Sequence, residues 1–130
     1  MNPIVHFEIP FDDKEKVMKF YSEVFGWKLN DMPDMKYVIA HTGETDEKTF
    51  MLKKPGMING GMYKRDEKSA QSPVLVIDVP NLDAHIKKVK ASGGKIFRGK
   101  MQVGDMGFYA QVQDTEGNII GLWEMIPKKN

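Results

Sequence analysis

The residues of this sequence that could do acid–base chemistry lie near its start, in the stretch Val5-His6-Phe7-Glu8-Ile9-Pro10. Apolar and ionisable residues alternate there, which predicts a β-strand, and side chains two residues apart in a strand point to the same face. His6 and Glu8 therefore share one face, where they could exchange protons or bind a metal ion. The other face is apolar and suits a covering helix.

His6 and Glu8 admit a structural and a catalytic interpretation. A histidine titrates near neutral pH, so His6 could transfer a proton or could simply form a hydrogen bond to Glu8 or to the backbone. A carboxylate on an inner face is costly without a partner. Glu8 could therefore pair with His6 or a lysine, or act as a general base with a raised pKa. We predict catalytic roles for both residues.

The composition is that of an ordinary globular domain. The 130 residues are 41% hydrophobic and 28% charged, with a net charge of +1 and no cysteine. We therefore expect no nucleic-acid partner, no disulfide, no thiolate metal site and no cysteine nucleophile. The sequence shows no secretory signal and no apolar run of about 20 residues that could span a bilayer. We expect a cytoplasmic protein of one domain, residues 1–130, with no membrane partner.

The order of the predicted elements repeats once along the chain. The first module, residues 1–64, has the pattern of a strand, a helix and three further strands. The second module, residues 73–130, repeats that order. Residues 65–72 between them are polar and charged without periodicity, and we predict that they form a linker.

The spacing within the two modules agrees. His6 and Gly26 are 20 residues apart, as are Val74 and Gly94, and the two modules are offset by 68 residues. We predict an α+β fold in which two βαβββ modules form a curved mixed sheet with the helices outside. The concave inner face of such a sheet is the natural cavity for a small-molecule ligand.

The first helix should begin after Asp12 or Asp13, either of which can cap its N-terminus, and should end at Gly26. Residues 49–52 have the composition of a short strand. The apolar side chains of the first helix recur at helical spacing and form one predicted stripe: Val17, Phe20, Tyr21, Val24 and Phe25.

A later strand supplies candidate ligand-binding residues. Residues 108–113 alternate, and the small apolar Ala110 and Val112 suit packing under a helix. We therefore expect Tyr109 and Gln111 to face the cavity.

Trp123 is a further candidate for ligand binding. It shares strand parity with Gly121, so both should face inward, and the gap at the glycine beside an indole could accept a flat ligand. The structural alternative is that Trp123 belongs to the core.

Short motifs occur in a fixed order along the chain: His6-Phe7-Glu8-Ile9-Pro10, Phe20-Tyr21-x-x-Val24-Phe25-Gly26-Trp27, Gly60-Gly61, Gly93-Gly94 and Asp114-Thr115-Glu116-Gly117-Asn118. On a βαβββ repeat they resemble the glyoxalase/bleomycin resistance/extradiol dioxygenase superfamily, the vicinal oxygen chelate fold. The resemblance covers nearly the whole chain and looks closest to a glyoxalase-like branch of unknown substrate. Thr115 departs from the family pattern, which usually has proline there.

The resemblance implies a four-ligand metal site, with one ligand from the first strand and one from the last strand of each half. His6 falls on the first position, and near the second the one oxygen ligand is Asn59. The third and fourth positions fall on Val74 and Gly121, which have no donor side chain. Glu124 is close in sequence, but it has the opposite strand parity and should point away.

A catalytic divalent site needs about three protein ligands. We therefore predict no metal cofactor, and a small-molecule-binding protein that acts as a lyase or isomerase through His6 and Glu8, with Asn59 among its ligand contacts. Two alternatives stay open, a metal-dependent lyase, isomerase or dioxygenase of the same superfamily and a non-catalytic binder that sequesters a drug or metabolite. The resemblance also implies a homodimer.

Overall fold

The computed structural model of the chain describes residues 1–49 and 51–127. In this part of the chain, eight strands and two α-helices follow the order βαβββ and again βαβββ, which confirms the predicted α+β fold. No helix within it is long and apolar enough to cross a membrane. The elements in chain order are β1 (Ile4–Phe11), α1 (Lys14–Phe25), β2 (Lys28–Met32), a 3₁₀ turn (Pro33–Met35), β3 (Tyr37–His41), β4 (Gly60–Lys64), β5 (Val74–Asp78), α2 (Leu82–Ala91), β6 (Lys95–Val103), β7 (Gly107–Gln113) and β8 (Ile119–Met125).

The chain divides into two compact units, residues 6–73 and residues 1–5 together with 74–130. The first residues of the chain thus belong with the second module, where the Asp78 amide donates a hydrogen bond to the Pro3 carbonyl at 2.9 Å. That the two units make a single domain stays a prediction.

In the unit formed by residues 6–73, the strands lie in the order β2-β3-β4-β1. β1 and β4 are parallel, whereas β2 with β3 and β3 with β4 are antiparallel. One face of this sheet packs against α1, which leaves His6 and Glu8 on the opposite face. The core between sheet and helix contains Phe7, Ile9, Phe11, Val17, Met18, Tyr21, Trp27, Leu29, Val38, Ala40 and Met62.

The ends of α1 follow from local chemistry. Of the two aspartates that could cap the helix, Asp13 does so, because its Oδ1 accepts a hydrogen bond from the Lys16 amide at 3.1 Å. Gly26 ends the helix with a φ of 70°, a left-handed conformation that glycine adopts without strain.

The apolar stripe of α1 is narrower than predicted. Val17 and Tyr21 pack against the core, but Phe20 and Val24 are more than half exposed and Phe25 is 59% exposed. The Phe20 ring instead lies against the Tyr21 ring, with ring centroids 5.1 Å apart and planes at 86°.

Residues 65–72, predicted as a linker, form an ordered turn within the first unit. The Asp66 carboxylate accepts a hydrogen bond from the Ser69 amide at 2.8 Å, and the Tyr63 hydroxyl donates to the Ala70 carbonyl at 3.1 Å. Ser69 and Ala70 are buried. The polar residues of this segment thus bind its own backbone, which is why polarity without periodicity did not reveal the turn.

The strand predicted at 49–52 is largely missing from the described residues. Leu52 forms a single β-bridge with Thr45, and residue 50 lies outside the described part of the chain.

In the second unit, the strands lie in the order β5-β8-β7-β6, with β5 and β8 parallel and the other neighbours antiparallel. Asn81 caps α2 by accepting a hydrogen bond from the Ala84 amide at 2.9 Å. Ala110 and Val112 lie under α2, as the alternation of β7 predicted. Their core partners are Ile77, Val79, Leu82, Ile86, Val89, Phe108, Ile120 and Leu122.

Candidate active site

His6, Glu8 and Tyr37 form a hydrogen-bonded cluster on the face of the first unit's sheet that lies opposite α1. His6 Nε2 lies 2.9 Å from the Tyr37 hydroxyl oxygen, and that hydroxyl donates to Glu8 Oε2 at 3.1 Å. The structure thus joins the two predicted catalytic residues through a third side chain. We refer to these three residues as the His6–Tyr37–Glu8 cluster.

Gly61 makes this cluster possible. β4 lies between β3 and β1, and Gly61 is opposite Ile39 on one side and opposite Glu8 on the other. A Cβ atom at position 61 would overlap the ring and hydroxyl of Tyr37. The phenol therefore crosses β4 at a position without a side chain and reaches groups two strands away.

Burial sets the electrostatics of the cluster. Glu8 is 8% exposed and His6 is half-buried. Burial lowers the pKa of His6 because it disfavours the charged ring, and the negative charge of Glu8 opposes this effect only in part. The imidazole is therefore neutral near neutral pH, beside a carboxylate that holds a hydrogen bond.

Tyr37 is a member of the cluster that the sequence did not reveal. Its contact with His6 and Glu8 depends on the order of the strands and on the glycine between them. The available signal was Gly61, since a glycine in a strand interior often marks close approach of another group.

Three predicted ligand-binding residues share one face of the second unit's sheet. Tyr109 lies opposite Trp123, and Gln111 lies opposite Gly121. Gln111 is 5% exposed, and its side-chain amide donates to the Tyr109 hydroxyl at 3.0 Å. The parity expected for these strands is thus present, and a role in ligand binding stays a prediction.

The two modules contain the same arrangement of a tyrosine over a glycine. A Cβ atom at Gly121 would lie 2.7 Å from the Tyr109 hydroxyl and 2.9 Å from Val76 Cγ2. The modules differ on their first strands, because the second has valines where the first has ionisable groups. The equivalent pairs are Tyr37 and Tyr109, Gly61 and Gly121, His6 and Val74, and Glu8 and Val76.

Asn59 stabilises a loop of the first unit. Its side-chain oxygen accepts hydrogen bonds from the backbone amides of Thr42 at 2.9 Å and Gly43 at 3.2 Å. These bonds hold the side chain in the loop, and a role for Asn59 in ligand binding stays a prediction.

The donor groups do not fit the four-ligand metal site that the resemblance implies. Within residues 1–49 and 51–127, no three His, Cys, Asp or Glu side chains converge on a point that could hold a metal ion. The Tyr37 hydroxyl binds both His6 and Glu8.

Glu124, the nearest carboxylate to the fourth ligand position, serves a different purpose. Its Oε1 accepts a hydrogen bond from the Leu82 amide at 2.6 Å, at the N-terminus of α2. It therefore points to the helix side of the sheet, as its strand parity predicted, and stabilises the helix end.

Comparison with known proteins agrees with the fold and the motifs. The profile of a family described as bleomycin resistance protein-like N-terminal matches residues 3–43. A glyoxylase-like domain-containing protein of Didymella fabae is 32% identical over 115 residues, which cover 85% of this chain and 84% of that protein. The chain belongs to the vicinal oxygen chelate superfamily.

Other members of this superfamily are similar over most of the chain. A lactoylglutathione lyase of Haemophilus influenzae is 29% identical over 118 residues, covering 88% of this chain and 86% of that protein. The crystal structure of methylmalonyl-CoA epimerase from Mycobacterium tuberculosis matches with a TM-score of 0.60 and 18% identity, covering 95% of this chain and 88% of that one, and so shows a shared fold. A protein named as a lyase is thus among the relatives in sequence, and an epimerase is among the proteins that share the fold.

Some relatives are much longer than this chain. Two mycobacterial proteins whose names contain the word glyoxylase are 26% identical over 118 residues, and the match covers 41% of their length.

Proposed function

We propose that this chain is a glyoxalase-like lyase or isomerase that moves a proton on a small-molecule ligand by acid–base chemistry at His6, with Glu8 acting on His6 through Tyr37. The Tyr37 hydroxyl is the single observation that carries the proposal. It lies 2.9 Å from His6 and 3.1 Å from Glu8, and so connects a neutral base to a buried carboxylate. A base and a carboxylate in one hydrogen-bonded chain are suited to general acid–base catalysis.

In this proposal His6 is the proton acceptor. Because burial lowers its pKa, the ring is neutral near neutral pH and can take a proton from carbon. The negative charge of Glu8 then stabilises the imidazolium ring through the Tyr37 hydroxyl. Return of the proton to the same or a neighbouring carbon completes an isomerisation, and departure of a leaving group completes a lyase reaction.

The names of the relatives suggest which ligands to test. One relative is a lactoylglutathione lyase and a structural neighbour is a methylmalonyl-CoA epimerase. Lactoylglutathione and methylmalonyl-CoA are both thioesters with a hydrogen on the carbon next to the carbonyl. Removal and return of that hydrogen is the chemistry that the His6–Tyr37–Glu8 cluster supports.

We also propose that Tyr109, Gln111 and Trp123 contact the ligand. The hydrogen bond from Gln111 to Tyr109 fixes both polar groups on one face of the second unit's sheet. Trp123, opposite Tyr109, adds an aromatic surface to that face.

Deuterium exchange tests the proposal without knowledge of the full reaction. S-lactoylglutathione and methylmalonyl-CoA are incubated separately with the protein in heavy water, and deuterium on the carbon next to the carbonyl is measured by mass spectrometry. We expect exchange with at least one thioester, and we expect His6→Gln to slow it by about a hundredfold or more while binding persists. His85→Gln, on α2, is the matched control and should exchange at the wild-type rate.

The outcomes separate the candidate functions. Binding without exchange would overturn the catalytic proposal in favour of sequestration, and exchange that survives His6→Gln would remove His6 from the chemistry. If neither thioester binds, thioesters are not the ligand class.

The resemblance to the superfamily is the basis for proposing a homodimer. Each chain has a mass of 14.8 kDa, so light scattering in solution should report twice that value. A particle of 14.8 kDa would contradict it.

A further inference from the structure

The hydrogen bonds of Tyr37 contain information about the protonation of His6. A tyrosine hydroxyl has one proton to donate. The Tyr37 hydroxyl donates that proton to Glu8 Oε2 at 3.1 Å. In the 2.9 Å contact with His6 Nε2, the phenol oxygen must therefore be the acceptor and the ring nitrogen the donor.

This direction selects one tautomer of the ring. Neutral imidazole carries a proton on one nitrogen and a lone pair on the other. If Nε2 holds the proton, the lone pair is on Nδ1. We infer that Glu8, acting through Tyr37, fixes His6 in the Nε2–H tautomer and so makes Nδ1 the atom that takes the proton from the ligand.

The assignment gives the members of the cluster different roles. His6 is the catalytic base, whereas Tyr37 and Glu8 are positioning residues that act through it. When Nδ1 accepts a proton, the bond between carbon and hydrogen breaks and its electron pair stays on the ligand. Nε2–H keeps its bond to Tyr37, and Tyr37 keeps its bond to Glu8, so no other proton has to move.

The role assigned to Nδ1 rests on the proposed function, but the tautomer itself can be measured without any ligand. Long-range ¹H–¹⁵N spectra of the ¹⁵N-labelled protein distinguish protonated from unprotonated ring nitrogens, and a pH of about 8 keeps histidine neutral. The chain has three histidines, and His41→Gln and His85→Gln assign the signals. His85 is an internal reference for the opposite tautomer, because its Nδ1 lies 3.2 Å from the Asn81 carbonyl, which can only accept.

We expect wild-type His6 to show a protonated Nε2 and an unprotonated Nδ1. Tyr37→Phe removes the acceptor and should raise the Nδ1–H fraction about tenfold, the upper range for one hydrogen bond. Tyr63→Phe is the matched control, since it removes a hydroxyl from β4 opposite Tyr37 and should leave the tautomer unchanged. Glu8→Gln is a second variant, whose amide can donate to Tyr37 and so let the hydroxyl turn toward His6.

Three results would overturn the inference. They are an unprotonated Nε2 in the wild-type protein, a tautomer ratio unaffected by Tyr37→Phe and Glu8→Gln, or an equal change in Tyr63→Phe. Failure of the proposed function would give a different result. The spectra would still show the fixed tautomer of His6, but His6→Gln would leave deuterium exchange intact. If both proposals hold, Tyr37→Phe should lower kcat at unchanged KM, at least by the factor by which it lowers the Nε2–H fraction.

Discussion

Glu8, which is 8% exposed, has lost most of the water that a carboxylate binds. Such burial is costly unless hydrogen bonds replace the solvent, and the Tyr37 hydroxyl supplies one at 3.1 Å. The alternation of β1 predicted that His6 and Glu8 share a face. It could not predict the tyrosine, because nothing in the local sequence links position 37 to position 8.

The lowered pKa of His6 predicts how stability depends on pH. Burial places this pKa below the value of 6.5 that the unfolded chain has, so the unfolded state binds more protons between the two values. The free energy of unfolding should therefore fall as the pH drops from about 7 to about 5. Urea denaturation across this pH range should show that the free energy of unfolding falls less in His6→Gln than in the wild type. His85→Gln controls for the removal of a histidine, and equal losses in His6→Gln and wild type would contradict the prediction.

Gly61 offers a test of the packing under Tyr37. Because a Cβ atom there would overlap the phenol, Gly61→Ala should destabilise the protein by about 1–3 kcal/mol, the usual cost of overpacking. Chemical denaturation measures the change. Gly99→Ala on β6 is the control, since a Cβ atom there meets nothing within 4 Å.

The same clash predicts coupling between two positions. In a Tyr37→Ala background the ring is absent, so Gly61→Ala should cost less than it does in the wild type. If Gly61→Ala destabilises the protein equally in both backgrounds, the added methyl group clashes with a group other than Tyr37.

At the level of elements, the sequence predicted the order βαβββ twice because helices and strands have different periods. It also predicted the two ends of α1, at Asp12 or Asp13 and at Gly26, since capping depends on residues a few positions apart. It overestimated the apolar stripe of α1, where Phe20 contacts Tyr21 rather than the sheet. Helical spacing shows which residues share a side of the helix, but not how many of them the neighbouring sheet can cover.

The two aspartates before α1 can be distinguished by stability. Asp13 caps the helix, so Asp13→Ala should lower the free energy of unfolding by about 1 kcal/mol. Asp12 is 77% exposed and pairs with Arg65 at 2.9 Å, so Asp12→Ala should cost at most about 0.5 kcal/mol. Thermal denaturation of both variants measures the two losses of stability. A larger loss in Asp12→Ala than in Asp13→Ala would contradict the prediction.

At the level of the whole molecule, the two modules repeat a fold but not its chemistry. Tyr109 lies over Gly121 as Tyr37 lies over Gly61, yet the second module has no ionisable side chain at positions 74 and 76. The ligand set implied by the superfamily draws on both halves, and the positions that it implies in the second half, Val74 and Gly121, have no donor side chain.

Metal analysis tests this interpretation. Protein purified without chelators should contain less than one equivalent of divalent metal, because a catalytic site needs about three protein ligands. Elemental analysis by mass spectrometry gives the content, and added zinc or nickel should not speed deuterium exchange. One equivalent of metal that disappears in His6→Gln would restore the metal-dependent alternative.

The sequence by itself determined the order of most elements, the ends of α1 and the face shared by His6 and Glu8, because each depends on residues a few positions apart. Only the tertiary structure decided what these side chains bind. Tyr37 is 31 residues from His6 and 29 from Glu8, and Glu124 is 42 residues from the helix end that it stabilises. Such contacts follow from strand order and register, which depend on the packing of the whole sheet. His6 and Glu8 on β1 therefore form a cluster with Tyr37 because β3 carries the tyrosine and β4 has a glycine under its ring.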